Sequence, residues 1–267
     1  MTGGRRIVVA AIALGTATAA CTDLNTGPDV AFSLELLELP SPSIVRGDSL
    51  RDLDGAAVPL SAVVFNLDGD PIPDAEVSFF AVDTTGELRI DPVTHHVFSV
   101  GMRRGTARIF VTSGTLQVPP ETLTIVAAPD SAAAVGTLDT LRYSFADPSR
   151  NTSDSLAVRV LWDSAGTPAP VPKYVVRFRL EDRADTIVAR LVDDQGRVST
   201  IDPSGAMSVD TTAADGLAFR RIRLTPGASL ATPVDSVVAF VDVRLRGVDV
   251  AGSPRRLVLY LVQFSPP

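Results

Sequence analysis

An apolar–polar alternation of period two, in short runs broken by Gly, Pro, Asp and Ser, recurs from Leu60 to Phe264. Successive side chains of a strand point to opposite faces, so such runs make strands with one buried and one wet face. A chain built of them closes into a sandwich or barrel. The clearest run is Tyr174 to Leu180, where Val176, Phe178 and Leu180 point one way and Val175, Arg177 and Arg179 the other. Others cover Leu60–Leu67, Val77–Val82, Ala107–Thr112 and Leu123–Ala127, then Leu156–Trp162, Leu217–Leu224, Val237–Leu245 and Leu257–Phe264. After residue 20, apolar residues nowhere keep helical spacing over three turns, so the expected fold class is all-β. At 267 residues and 45% hydrophobic, the chain is long enough for one large β domain or for two ordinary ones with a core each.

The runs fall into two similar sets. LSAVVFNLDGDPIPDAEVSFF from Leu60 matches LAVRVLWDSAGTPAPVPKYVVRFRL from Leu156, each a strand, a Gly-x-Pro turn and a strand. Gly69 and Pro71 correspond to Gly166 and Pro168, an offset of 97 residues. Ile90-Asp91-Pro92 corresponds to Ile201-Asp202-Pro203, and Gly105-Thr106-Ala107 to Gly216-Leu217-Ala218, each at an offset of 111. The second copy then carries about fourteen extra residues, assigned to a hairpin over Asp185 to Val198. The expected organisation is two tandem β-sandwich domains, residues 34–129 and 138–267, joined by a linker at 130–137. Within that linker, Ala132 to Val135 are apolar, which leaves open their pairing as a first strand. One residue resists the pattern: Arg220 shares a face with Ala218, Ile222 and Leu224, which implies a bulge or a different register.

The first twenty residues read as an export signal. Arg5 and Arg6 precede an uncharged stretch from Ile7 to Ala20 that ends in small residues before Cys21, the sole cysteine. Thr18-Ala19-Ala20-Cys21 resembles a bacterial lipobox, which implies that Cys21 is lipid-modified and becomes the N-terminus. Ordinary cleavage near Ala20 with Cys21 a free thiol is the alternative, because Thr18 stands where Leu is usual. Residues 21–33, turn-forming and without periodicity, are expected to tether lipid to the first domain. The residue after the cysteine is Thr22 and not Asp, which favours the outer membrane in a host with two membranes.

The formal charge is -7, and without residues 1–20 the chain has 22 basic side chains against 31 acidic, a net of -9. Nucleic acid is excluded as an electrostatic partner on that ground.

Asp68-Gly69-Asp70-Pro71-Ile72-Pro73, the AEVSFF strand after it and the late Gly-x-Ala strand resemble the immunoglobulin-like modules of bacterial invasin- and intimin-type surface proteins. The second copy keeps Gly166-Thr167-Pro168-Ala169-Pro170 and the stretch Thr212 to Ala218. These motifs fix a turn geometry, since Gly permits positive φ and Pro sets φ. The resemblance implies immunoglobulin-like sandwiches in a protein that serves as stalk, adhesin, binding module or enzyme appendage.

The chemistry-bearing residues read as structural. His95 and His96 are adjacent, so in a strand they face opposite ways and do not chelate one metal. The pairs Asp52/Asp54, Asp68/Asp70 and Asp193/Asp194 lack the spacing of a calcium loop and read as turn formers. Arg46-Gly47-Asp48 spells an integrin-type tripeptide inside ordinary turn chemistry, and Asn151-Thr152-Ser153 a glycosylation acceptor. Trp162 continues the buried alternation of Leu156, Val158 and Val160 and is placed in the core. No cofactor, metal site or catalytic residue is expected. The functional expectation is a lipid-anchored, non-catalytic interaction or spacer protein of adhesion type, attached to the membrane through Cys21 and meeting a protein or polysaccharide partner. A carbohydrate- or peptide-binding accessory lipoprotein is the alternative.

Overall fold

In the computed structural model, which describes residues 27–82, 86–101, 103–136, 139–144, 147, 149, 151–181, 189–199, 201–224 and 236–263, the regular elements are all strands. The first half holds β1 (Ser33–Leu36), β2 (Ser43–Val45), β3 (Ala62–Phe65), β4 (Ser78–Val82), β5 (Leu88–Ile90), β6 (Val97–Ser99), β7 (Gly105–Ser113), β8 (Leu116–Gln117) and β9 (Glu121–Val126). The second holds β10 (Ser131–Val135), β11 (Asp139–Tyr143), β12 (Leu156–Ser164), β13 (Thr167–Pro170), β14 (Val175–Leu180), β15 (Ala189–Val192) and β16 (Met207–Thr211). It ends with β17 (Leu217–Leu224), β18 (Ser236–Asp242), β19 (Arg244–Leu245), β20 (Val248–Asp249) and β21 (Arg255–Gln263).

Among the described residues no ladder crosses from one half to the other. The first half has the sheet β2-β9-β7-β4, with β8 on β7, and the pairs β1-β3 and β5-β6. In the second, β10-β12-β17-β15, with β13 on β12, lies over β11-β21-β18-β14-β16. That order puts β10-β12-β17-β15 and β14-β18-β21 in the places of the A-B-E-D and C-F-G strands of an immunoglobulin-like sandwich. Val158, Val160, Ala218 and Ile222 from one sheet meet Phe178, Ala239, Val241 and Leu259 from the other in one buried cluster. The first half has its own cluster, with Ile44, Ile109, Leu123 and Ile125 against Leu50, Leu60, Leu88 and Val97.

Each half opens in the same way. β1 pairs antiparallel with β3, and after Pro40 and Pro42 the chain crosses to run as β2 parallel to the last strand, β9. β10 pairs antiparallel with β12, and after Gly136 at φ 84 the chain continues as β11, parallel to β21. A residue without an N–H, or one with left-handed φ, ends the first ladder and lets the strand change sheets.

Several expectations change. Residues 131–135 are not a free linker: Ser131 pairs with Leu161 and Val135 with Ala157, because Ala132 is apolar enough to close the sheet edge over the core. Residues 27–33, placed in the tether, are also tied down, with Phe32 N–H donating to the Phe65 carbonyl and Asn66 Nδ2 to that of Pro28. Of the repeat anchors, the Gly-x-Pro turns do match, each joining the strand β3 or β12 to β4 or β14. The Gly-x-Ala anchor does not: β7 pairs with β4 and β9, whereas β17 pairs with β12 and β15 in the opposite sheet. By position the partner of β7 is β18, so the 111-residue offset reflects turn chemistry and not equivalent strands. The hairpin expected at 185–198 is realised from Ala189, where β15 runs into a turn at Asp193 that closes with Val192 bridging Val198; residues 182–188 lie outside the described residues.

Arg220 does face the core side of β17, without a bulge in that strand. It is accommodated because Ser208 and Asp210, on the core face of the edge strand β16, receive it. Its Nε donates to Ser208 Oγ at 2.8 Å, its Nη1 lies 3.1 Å from Asp210 Oδ1, and its Nη2 donates to the Val209 carbonyl.

Candidate functional site

The halves meet at a joint made by two turns and two strand ends. Val45 and Val126 are neighbours across the parallel β2-β9 ladder, and both pack on the second half's cluster. From the first half the turn Asp52–Ala56 projects, shaped by Asp52 Oδ1, which accepts the N–H groups of Asp54 and Ala56 at 2.9 Å. From the second the β19–β20 hairpin projects, its tip Arg246-Gly247 at φ 54 and 78. These are the two positive φ values that a tight hairpin turn requires. The tips touch glycine to glycine: a Cβ on Gly55 would lie 2.0 Å from Gly247 N.

Charge pairs brace this contact. Asp48, 7% exposed, accepts from Arg51 of its own half and from Arg246 of the other half, each at 2.8 Å. Burial pushes its carboxyl up, but the hydrogen bonds from Arg51, Arg246 and the Ser49 N–H outweigh this and hold it below the usual carboxylate range. Asp54 accepts from Arg177 at 2.6 Å, and that hydrogen bond lowers its pKa as well. Tyr174 lies beneath, its hydroxyl donating to the Arg244 carbonyl. Burial, with the nearby Asp48 charge second, pushes its phenol well above the ordinary tyrosine range. On the other flank two guanidiniums of the first half stand over the Trp162 ring, Arg46 at 5.1 Å and Arg104 at 5.0 Å from the ring centroid. Such contacts are worth about 0.5–1 kcal/mol each where exposed.

The residues singled out in the sequence fall mostly into structural roles. The Arg46-Gly47-Asp48 tripeptide is not presented to a partner, since its Asp is buried and its Arg sits on Trp162. Trp162 packs against the core cluster, as expected, but its outer end belongs to the joint. Asp193 accepts the N–H groups of Gln195 and Arg197 and pairs with the Arg197 side chain at 2.8 Å, a turn former. At Asp68 and Asp70 the turn is organised by Asn66 Oδ1, which accepts both their N–H groups. His95 and His96 lie in the β5–β6 turn, His95 at φ 56 against the Phe79 ring. Asn151 is fully buried and its Oδ1 accepts the Ser144 N–H, so it is no surface glycosylation site. Among the described residues no group of three or more His, Cys, Asp or Glu could hold a metal ion. Cys21 and the segment 1–20 lie outside the described residues.

Sequence reasoning did not find the joint. Arg246-Gly247 is recognisable as a hairpin turn, but no local pattern connects it to Asp48, 198 residues away.

No family model matches the chain, and no curated protein matches it. Among solved structures it is similar to the Yersinia pseudotuberculosis adhesin InvE, at 13% identity and a TM-score of 0.29, over 86% of this chain and 58% of that one. It is similar to domains 5-6 of the S-layer protein SbsC at 15% identity and a TM-score of 0.29, over 88% and 99%. It is also similar to FdeC, an Escherichia coli adhesin, at 14% identity and a TM-score of 0.29, over 88% and 66%. The chain thus spans little more than half of the InvE structure, and two of these three proteins are bacterial adhesins.

Proposed function

We propose that this chain is an exported, lipid-anchored, non-catalytic protein of the cell envelope, in which two sandwiches braced against each other carry an interaction surface away from the membrane. The joint supports the spacer part of this reading. A spacer needs its units held in one arrangement, and here Asp48–Arg246, Asp54–Arg177 and the Trp162 stack all connect the halves beyond the short connection 127–130. The charge pairs at the joint are matched to one another, the pattern of a structural contact more than of a reaction centre. Anchoring rests on the signal-like segment and on Cys21 as the sole cysteine at its end. Palmitate labelling of the wild type and of Cys21→Ala tests it: label in the wild type alone is expected, and equal label in both, or none in either, removes the anchor.

A further inference from the structure

The outer face of β10-β12-β17-β15 is unlike the rest of this acidic chain. Because Val158, Ala218, Ile222 and Leu191 fill the core, alternation turns Arg159, Arg190, Arg221 and Arg223 outward, with Leu217 and Phe219 among them. The carboxylate at an outward position of β12, Asp163, stands near the end of the strand, where it accepts the Gly166 N–H at 2.6 Å. Arg190 stands directly opposite Arg223 across the ladder, a like-charge pair that disfavours the sheet. Several arginines elsewhere are matched by acids, among them Arg197 by Asp193 and Arg220 by Asp210. Here Arg159, Arg190 and Arg221 are half-buried, each Nε is buried without an acceptor, and none of the three makes an ion pair among the described residues. Arg223 reaches only the Gly196 carbonyl at 3.0 Å and Thr152 Oγ1 at 3.3 Å.

We infer that this face binds a polysaccharide bearing carboxylates. Guanidinium forks match carboxylates in pairs, and four of them on one face, in a chain of net charge -7, concentrate positive potential where the remaining surface repels anions. Phe219 and Leu217 offer apolar ground between the cations for the faces of sugar rings. β12 and β17, which carry Arg159, Arg221 and Arg223, are interior strands with ladders on both sides, so their backbone is not free to pair with an added peptide strand. Recognition there is by side chains alone, which suits a sugar chain whose anions and hydroxyls all project outward. The inference names a partner class for the envelope protein proposed above, and it relies on that reading only for placing the face where such polymers occur.

The purified full chain is passed over resins carrying polygalacturonate, neutral dextran, succinylated protein or single-stranded DNA. Salt-sensitive retention on polygalacturonate and passage through dextran are expected. Arg159→Gln/Arg221→Gln should weaken retention about tenfold or more while leaving Tm unchanged or raised, since the removed cations have no partners. Arg159→Lys/Arg221→Lys, which keeps the charge and loses the forks, should fall between the two, and Arg197→Gln should behave as wild type. Passage of the wild type through polygalacturonate, retention indifferent to either double variant, or stronger retention on succinylated protein or DNA would overturn the inference. None of these outcomes depends on Cys21 acylation.

Discussion

At the scale of single residues, Asp48 stands out in the sequence only as the end of a tripeptide, whereas in the fold it ties the two halves through Arg51 and Arg246. Its carboxylate is buried and satisfied only by partners from both halves. Asp48→Asn should therefore lower stability by about 2 kcal/mol and expose the connection 127–130 to protease, read by melting and limited proteolysis. The folded pKa is depressed, so the contribution is fully present above the unfolded carboxyl value of about 4 and is lost as pH falls through the lower folded value. The Tm gap between wild type and Asp48→Asn should be wide at neutral pH and close in acid; a gap constant with pH would show that Asp48 is not ionised in the fold. The sequence identified Asp52, Asp193 and Trp162 by their type and neighbours, because turn chemistry and strand-face burial are local. Partnerships such as Asp48–Arg246 depend on tertiary approach and leave no mark in either segment.

At the scale of elements, the long alternating strands are legible in the sequence, as are the short β3 and β4, whereas most of the other short strands are not. β12, β14, β17 and β21 bury one face along enough residues for period two to show. β10 is Ser-Ala-Ala-Ala-Val, where small residues on both faces give no alternation, and it forms because the edge of β12 is there to receive it. Domain boundaries drawn from composition consequently fell inside the second sandwich. A fragment from Asp130 to the C-terminus should melt cooperatively, whereas one from residue 138, which strips β10 from β12, should melt lower or fail to fold. Equal melting of the two would mean that β10 adds nothing. The misplaced Gly-x-Ala anchor has a related cause: Gly105 and Gly216 both precede a strand, but nothing local states which sheet that strand will join.

At the scale of the whole molecule, each half has its own buried cluster and opens with an antiparallel pair before the chain crosses to the other sheet. The parallel pairing of the second and last strands in each half, β2 with β9 and β11 with β21, has a mechanical meaning. If one terminus is fixed and the other is pulled, parallel neighbours are drawn past each other along their length, so every hydrogen bond of the ladder is loaded at once and none opens alone. An antiparallel closing pair pulled from the same points would peel apart bond by bond at much lower tension. Single-molecule extension between the termini should therefore show two discrete rupture events, one for each half, each at higher force than when the same halves are pulled across a hairpin, so that a chain of this design bears load.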